Sequence, residues 1–103
     1  MDYQLVIKFW RKSLDGEAFL ESLESELGQA LGSSAVLEGY DVSPKEINLF
    51  MLTQDPRQSF RRSRDVLTRL GVENGVSAAY RLQGGARFTP VWPLRSTRKF
   101  VLP

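Results

Sequence analysis

The stretch Glu46-Ile47-Asn48-Leu49-Phe50-Met51-Leu52-Thr53-Gln54-Asp55-Pro56 reads as a buried strand running straight into a helix start. Ile47, Leu49 and Met51 fall on one side of the pleat, and Asn48, Phe50 and Leu52 on the other. Both sides are mainly apolar, which predicts a central strand covered on both faces. Asp55 suits an N-cap, and Pro56 suits the first helical position, where its missing N–H is harmless. Phe60, Val66, Leu67 and Leu70 continue at helical spacing, and Gly71 ends the helix.

Upstream, Tyr3 to Trp10 is rich in aromatic and β-branched residues and reads as a strand. Tyr3, Leu5, Ile7 and Phe9 form an apolar side, with Gln4, Val6, Lys8 and Trp10 opposite. A turn over Arg11 to Leu14 leads to Asp15 as N-cap, with Glu17 in the first helical turn, where the helix dipole favours an acid. Leu20, Leu23, Leu27 and Leu31 then recur at helical spacing until Gly32. Ala35 to Tyr40 is a second strand, and Asp41-Val42-Ser43-Pro44-Lys45 is turn chemistry. Downstream, Asn74-Gly75 precedes a strand over Val76 to Leu82, and Gln83-Gly84-Gly85 is a hairpin turn. Arg87 to Trp92 is a fifth strand that Pro90 and Pro93 confine to an edge.

The order strand, helix, strand, strand, helix, strand predicts an α+β, ferredoxin-like βαββαβ two-layer sandwich with an added C-terminal hairpin strand. Another two-layer topology with the same elements is the alternative. The expected domain is 1–94, followed by a basic tail, 95–103, with an apolar tip. Phe100-Val101-Leu102 in that tip could add a strand to a sheet edge, its own or a partner's, and a disordered end is the equal alternative. At 103 residues there is room for one domain. No apolar run reaches the length a membrane helix needs, and no signal peptide is visible. The expected compartment is the cytoplasm.

The chain has no cysteine and no histidine. That removes thiolate and imidazole chemistry, both as nucleophile or base and as metal ligand. No catalytic motif stands out, and no cofactor is expected. Asp41, Glu46 and Asp55 are the only loose grouping of carboxylates near strand ends, and their spacing fits no calcium loop. Arg61-Arg62-Ser63 resembles a kinase site, but the helical phase puts Ser63 on the buried side.

Charge is unevenly distributed. Residues 1–54 carry four Lys/Arg against nine Asp/Glu, and residues 55–103 carry ten against three. At about 100° per helical residue, Glu24, Glu17 and Glu21 fall near 40°, 60° and 100° from Leu20. Arg64, Arg57 and Arg61 fall near the same angles from Phe60. With right-handed crossovers both stripes face outward, leaving Phe19 and Ala30 to meet Val66 and Leu70 between the helices. Glu26, nearer the inner flank, is within reach of Arg62 or Arg69. The two stripes are candidate partner-binding surfaces, and the bland reading is a solvated helix surface.

A second candidate is the sheet face away from the helices, with Val6, Lys8, Trp10, Phe50 and Arg81. Aromatic and basic residues on such a face permit nucleic-acid stacking, but apolar patches more often mark an interface or a covered surface. The pattern Gly39-Tyr40-Asp41, Glu46 to Phe50, Thr53 and Asp55-Pro56 resembles one in small uncharacterised bacterial proteins, a resemblance that implies no activity and no functional residue. The leading expectation is a non-catalytic protein-binding module, such as a small bacterial inhibitor or immunity-type partner protein, and a homodimer. A nucleic-acid-binding domain is the alternative, and a dimeric small-ligand protein or enzyme of the same fold is the second alternative.

Overall fold

The computed structural model describes residues 2–11, 17–72, 74–94 and 99–103, with Glu17 described by its backbone alone. The elements are β1 (Tyr3–Trp10), α1 (Glu17–Leu31), a 3-10 turn (Gly32–Ser34), β2 (Ala35–Val42), β3 (Glu46–Thr53), α2 (Pro56–Arg69), β4 (Ser77–Leu82) and β5 (Thr89–Trp92). The expected N-cap, Asp15, lies outside the described residues.

The five strands form one sheet in the order β2-β3-β1-β4-β5. Every neighbouring pair is antiparallel. Each helix therefore connects two strands that have a third between them: β3 separates β1 from β2, and β1 separates β3 from β4. The chain is thus α+β, with a five-stranded antiparallel sheet and two helices, compatible with a two-layer sandwich. The β3 stretch is central, as its two apolar sides require. It pairs with β1 from Tyr3↔Thr53 to Trp10↔Glu46 and with β2 from Ala35↔Thr53 to Val42↔Ile47.

The helices share one sheet face. Leu5, Ile7, Phe9, Leu49, Met51 and Ala78 form one core cluster with Leu23, Leu27 and Leu31 of α1 and Phe60, Val66 and Leu67 of α2. Phe19 and Leu70 pack against it from the inner flanks, whereas Ala30 is exposed. Across the same flank Arg69 donates to Glu26 at 2.7 Å. The other inner candidate, Arg62, reaches the Ser34 hydroxyl instead, at 3.5 Å. The Arg69–Glu26 pair is well exposed, so it registers the helices more than it stabilises them.

The passage from β3 into α2 is built on side-chain oxygens. Asp55 accepts from the Gln58 N–H at 3.1 Å, which caps the helix ahead of Pro56. Thr53, fully buried, shares a 2.7 Å hydrogen bond with the Ser59 hydroxyl and accepts from the Asp55 N–H at 3.1 Å. It also donates to the Ser34 carbonyl at 3.3 Å. Ser63, on the buried side as its phase implies, donates back to the Ser59 carbonyl at 2.8 Å. Thr53 thus ties the end of β3 to the first turn of α2 and to the turn that follows α1. Gly71 ends the helix with φ of 76°, a left-handed conformation that favours glycine.

The fifth strand is shorter than Arg87–Trp92: it runs Thr89–Trp92, with a register shift opposite Ala78/Ala79. Pro90 is tolerated because β5 is an edge. The Trp92–Pro93 peptide is cis.

Thr53→Val keeps the shape and removes the hydroxyl, leaving the Asp55 N–H and the Ser34 carbonyl without that partner. The expected cost is about 1–3 kcal/mol, read as a lower urea midpoint with an unchanged m-value.

Candidate functional site

The arginines of the α2 stripe do not project freely. β4 and β5 extend the sheet past the outer flank of α2, and their helix-side aromatics lie under it. The Arg57 guanidinium carbon sits 5.7 Å from the Tyr80 ring centroid, and that of Arg64 sits 4.0 Å from the Trp92 ring centroid. Each aromatic is itself held. Trp92 packs on Phe60 at 6.0 Å, and Tyr80 meets Tyr3 edge-on at 5.6 Å. Arg61, one turn on, hydrogen-bonds Gln58 at 3.0 Å. All three arginines are exposed. The result is a cationic ledge on which Arg57 and Arg64 are seated on rings, an arrangement that fixes long side chains in place.

On α1, Glu21 is exposed and Glu24 is half-buried. The Glu17 side chain lies outside the described residues. The acidic stripe therefore has two described members and no comparable platform beneath it.

The sheet face away from the helices is covered by the chain itself. Lys8, on β1, donates to the Val101 carbonyl and lies 4.6 Å from the Phe100 ring centroid. Phe100 packs on Phe88 at 5.0 Å, and Arg81 lies 4.6 Å from the Phe88 ring centroid. This ladder, Lys8–Phe100–Phe88–Arg81, crosses the central strands. Beneath it Val6 and Ala79 are fully buried, and Lys8 is 9% exposed. Arg81 also donates to Gln4 at 2.8 Å, and Gln4 to Glu38 at 2.9 Å. Of the alternatives for Phe100-Val101-Leu102, a strand added to the chain's own sheet is not what forms: these residues are not in a strand, and Phe100 and Val101 lie against Lys8 on the sheet face. The physical reason is that Val6, Ala79 and the Lys8 stem offer apolar surface that must be covered, whereas an edge offers hydrogen bonds that water also supplies.

In this half-dry site Lys8 forms an ion pair with Glu46, at 3.1 Å. Asn48 donates to the same carboxylate oxygen at 2.8 Å, and its own carbonyl oxygen has no hydrogen-bond partner among the described residues. Phe50 is half-buried on the same face. Trp10 departs from the rest of that set. It is 42% exposed at the end of β1, against Gly75, where a Cβ would lie 2.8 Å from the indole. Trp10 lines a cleft of about 500 Å³ with Arg11, Pro44 and Lys45. These described lining residues bring cations and an aromatic.

Asp41, Glu46 and Asp55 are not brought together. Glu46 serves Lys8, and Asp55 caps α2. Among the described residues no three acidic side chains are gathered in the way that a metal ion needs. No helix among them is long and apolar enough to cross a membrane. Comparisons with protein-family models, curated proteins and solved structures found no match to this chain.

The arginine–aromatic pairing was not visible in the sequence, although Tyr80 and Trp92 are both helix-side residues of the strands expected last. The available signal was the excess of arginine in the same half of the chain. If Phe100 holds the tail down, Phe100→Ala lowers the unfolding free energy by about 1–2 kcal/mol. It also raises binding of an apolar-surface dye to the native protein, whereas the equally terminal Val101→Ala, at an exposed side chain, leaves both near the parent values.

Proposed function

We propose that this chain is a non-catalytic protein-binding module of ferredoxin-like fold that takes an acidic protein on the arginine ledge of α2. The fold name is supported by the strand order β2-β3-β1-β4 with antiparallel neighbours and by two helices on one face, β5 being an addition at the β4 edge. A small inhibitor or immunity-type partner protein of the cytoplasm fits this size and chemistry.

The observation that carries the reading is the seating of Arg57 and Arg64 on Tyr80 and Trp92. An arginine already held on a ring has less rotamer freedom to lose when it meets a carboxylate. Arg, Tyr and Trp are also the side chains that most often dominate binding energy at protein interfaces. Residues 55–103 carry ten cationic against three anionic side chains, so approach of an acidic surface is favoured at a distance as well.

Nucleic acid is the less favoured ligand, for a specific reason. On the sheet face, Lys8 and Arg81 are engaged with the chain's own Phe100 and Phe88. On the ledge, Tyr80 and Trp92 lie under guanidinium groups rather than open to a base. The same cover on the sheet face favours a homodimer formed elsewhere than sheet to sheet.

The test uses poly-glutamate as an acidic polypeptide and a single-stranded oligonucleotide of matched charge. Poly-glutamate is expected to bind more tightly than the oligonucleotide, with binding weakened by salt. The triple reversal Arg57→Glu, Arg61→Glu and Arg64→Glu is expected to lower poly-glutamate affinity at least about tenfold while far-ultraviolet circular dichroism is retained. Equal binding by parent and triple variant removes the ledge from the account, and preference for the oligonucleotide favours the nucleic-acid reading.

A further inference from the structure

We infer that the ledge opens, at the N-terminal end of α2, into a socket that takes one apolar or aromatic side chain of the acidic partner. This rests on the acidic-partner reading above and specifies the partner: an extended segment with a bulky anchor residue followed by carboxylates.

The socket lies on the helix side of the sheet, where β1, β4 and the β4–β5 hairpin meet. It is a concavity of about 380 Å³ whose lining includes Tyr3, Tyr80, Leu82, Gly85, Arg87 and Thr89. That volume is near the lower end of ligand sites, roughly 300–1,000 Å³. It suits one side chain better than a cofactor. Its walls are two rings set edge-on to each other and a leucine that is 60% exposed, surfaces that favour an apolar guest over a charged one. The mouth is cationic. Arg87 is exposed and makes no hydrogen bond or ion pair among the described residues. Arg57, whose contact is with Tyr80, stands on the ring that forms the socket wall.

Geometry sets the spacing of the guest. Tyr3 pairs with Thr53, immediately before α2, so the socket is at the Arg57 end of the ledge and Arg64 is at the far end. At about 1.5 Å per residue, Arg57 and Arg64 are roughly 10 Å apart along the helix axis. An extended chain covers that distance in about three residues. A segment with its anchor in the socket therefore presents carboxylates to Arg57, Arg61 and Arg64 from the few residues that follow. The arrangement is that of an interface hot spot: an anchor in a pocket, surrounded by charge pairs that set register and partner choice.

The test is a chemical-shift titration of the full-length, isotope-labelled chain with two synthetic peptides, Phe-Glu-Asp-Glu-Glu-Glu and Ala-Glu-Asp-Glu-Glu-Glu. The phenylalanine peptide is expected to bind about tenfold more tightly or better, and it alone is expected to shift the amides of Tyr3, Tyr80 and Thr89. Thr89→Trp, at an exposed edge position, fills the socket. It is expected to abolish the difference between the peptides, read as the ratio of their two affinities. Arg57→Glu is expected to weaken both. If the two peptides bind equally to the parent chain, the socket inference is overturned and the acidic-partner reading stands. If neither peptide binds, both are overturned.

Discussion

One constraint governs this molecule: its central strands carry apolar residues on both sides, but the described helices share one sheet face. On the helix side, Leu5, Ile7, Phe9, Leu49 and Met51 are buried by the two helices in the usual way. On the other side, Val6 and Ala79 also lose all contact with water, and no helix is available to do this. The chain supplies the cover from its own last residues. Phe100 and Phe88 lie across the face, and Lys8 joins them by donating to a carbonyl while its stem packs below. A lysine that is 9% exposed requires compensation for the water it gives up, and Glu46 provides it. The second layer is thus a strap held by one charge and two rings.

With part of the sheet face occupied in cis by Phe100 and Phe88, the charged flanks of the helices are the more accessible surfaces. The two flanks are unlike. Beyond α1, among the described residues, no ring lies beneath Glu21 or Glu24. Beyond α2 the sheet continues for two more strands. Without β5 there is no Trp92 under Arg64, and only Arg57 keeps a ring beneath it. The added edge strand converts charge on a helix into a shaped ledge, and its hairpin with β4 helps to form the socket at one end.

Several of these features were legible in the residues alone. Asp55-Pro56 marked the start of α2, and the structure has the cap and the proline where expected. Helical phase separated the charged stripes from the inner flanks, and it left Glu26 near enough to meet Arg69, as it does. The turn after β2 and the limits of β5 were approximate, because register shifts and edge pairing depend on neighbours rather than on composition. The tail allowed either an added edge strand or a disordered end, and the structure lays Phe100 and Val101 across the sheet face instead. Alternation describes what a segment presents, and it does not say which distant surface lacks a cover.

The sequence by itself determined the local elements, the central place of Glu46–Thr53, the outward phase of Arg57, Arg61 and Arg64, and the absence of histidine and cysteine chemistry. These follow from periodicity and residue type, which act over a few neighbours. Only the tertiary structure decided that Tyr80 and Trp92 lie beneath those arginines, that Tyr3 and Tyr80 wall a socket, and that Phe100 closes the second face. Each of these brings together residues far apart in the chain, and which distant side chains meet is set by packing the whole sheet at once.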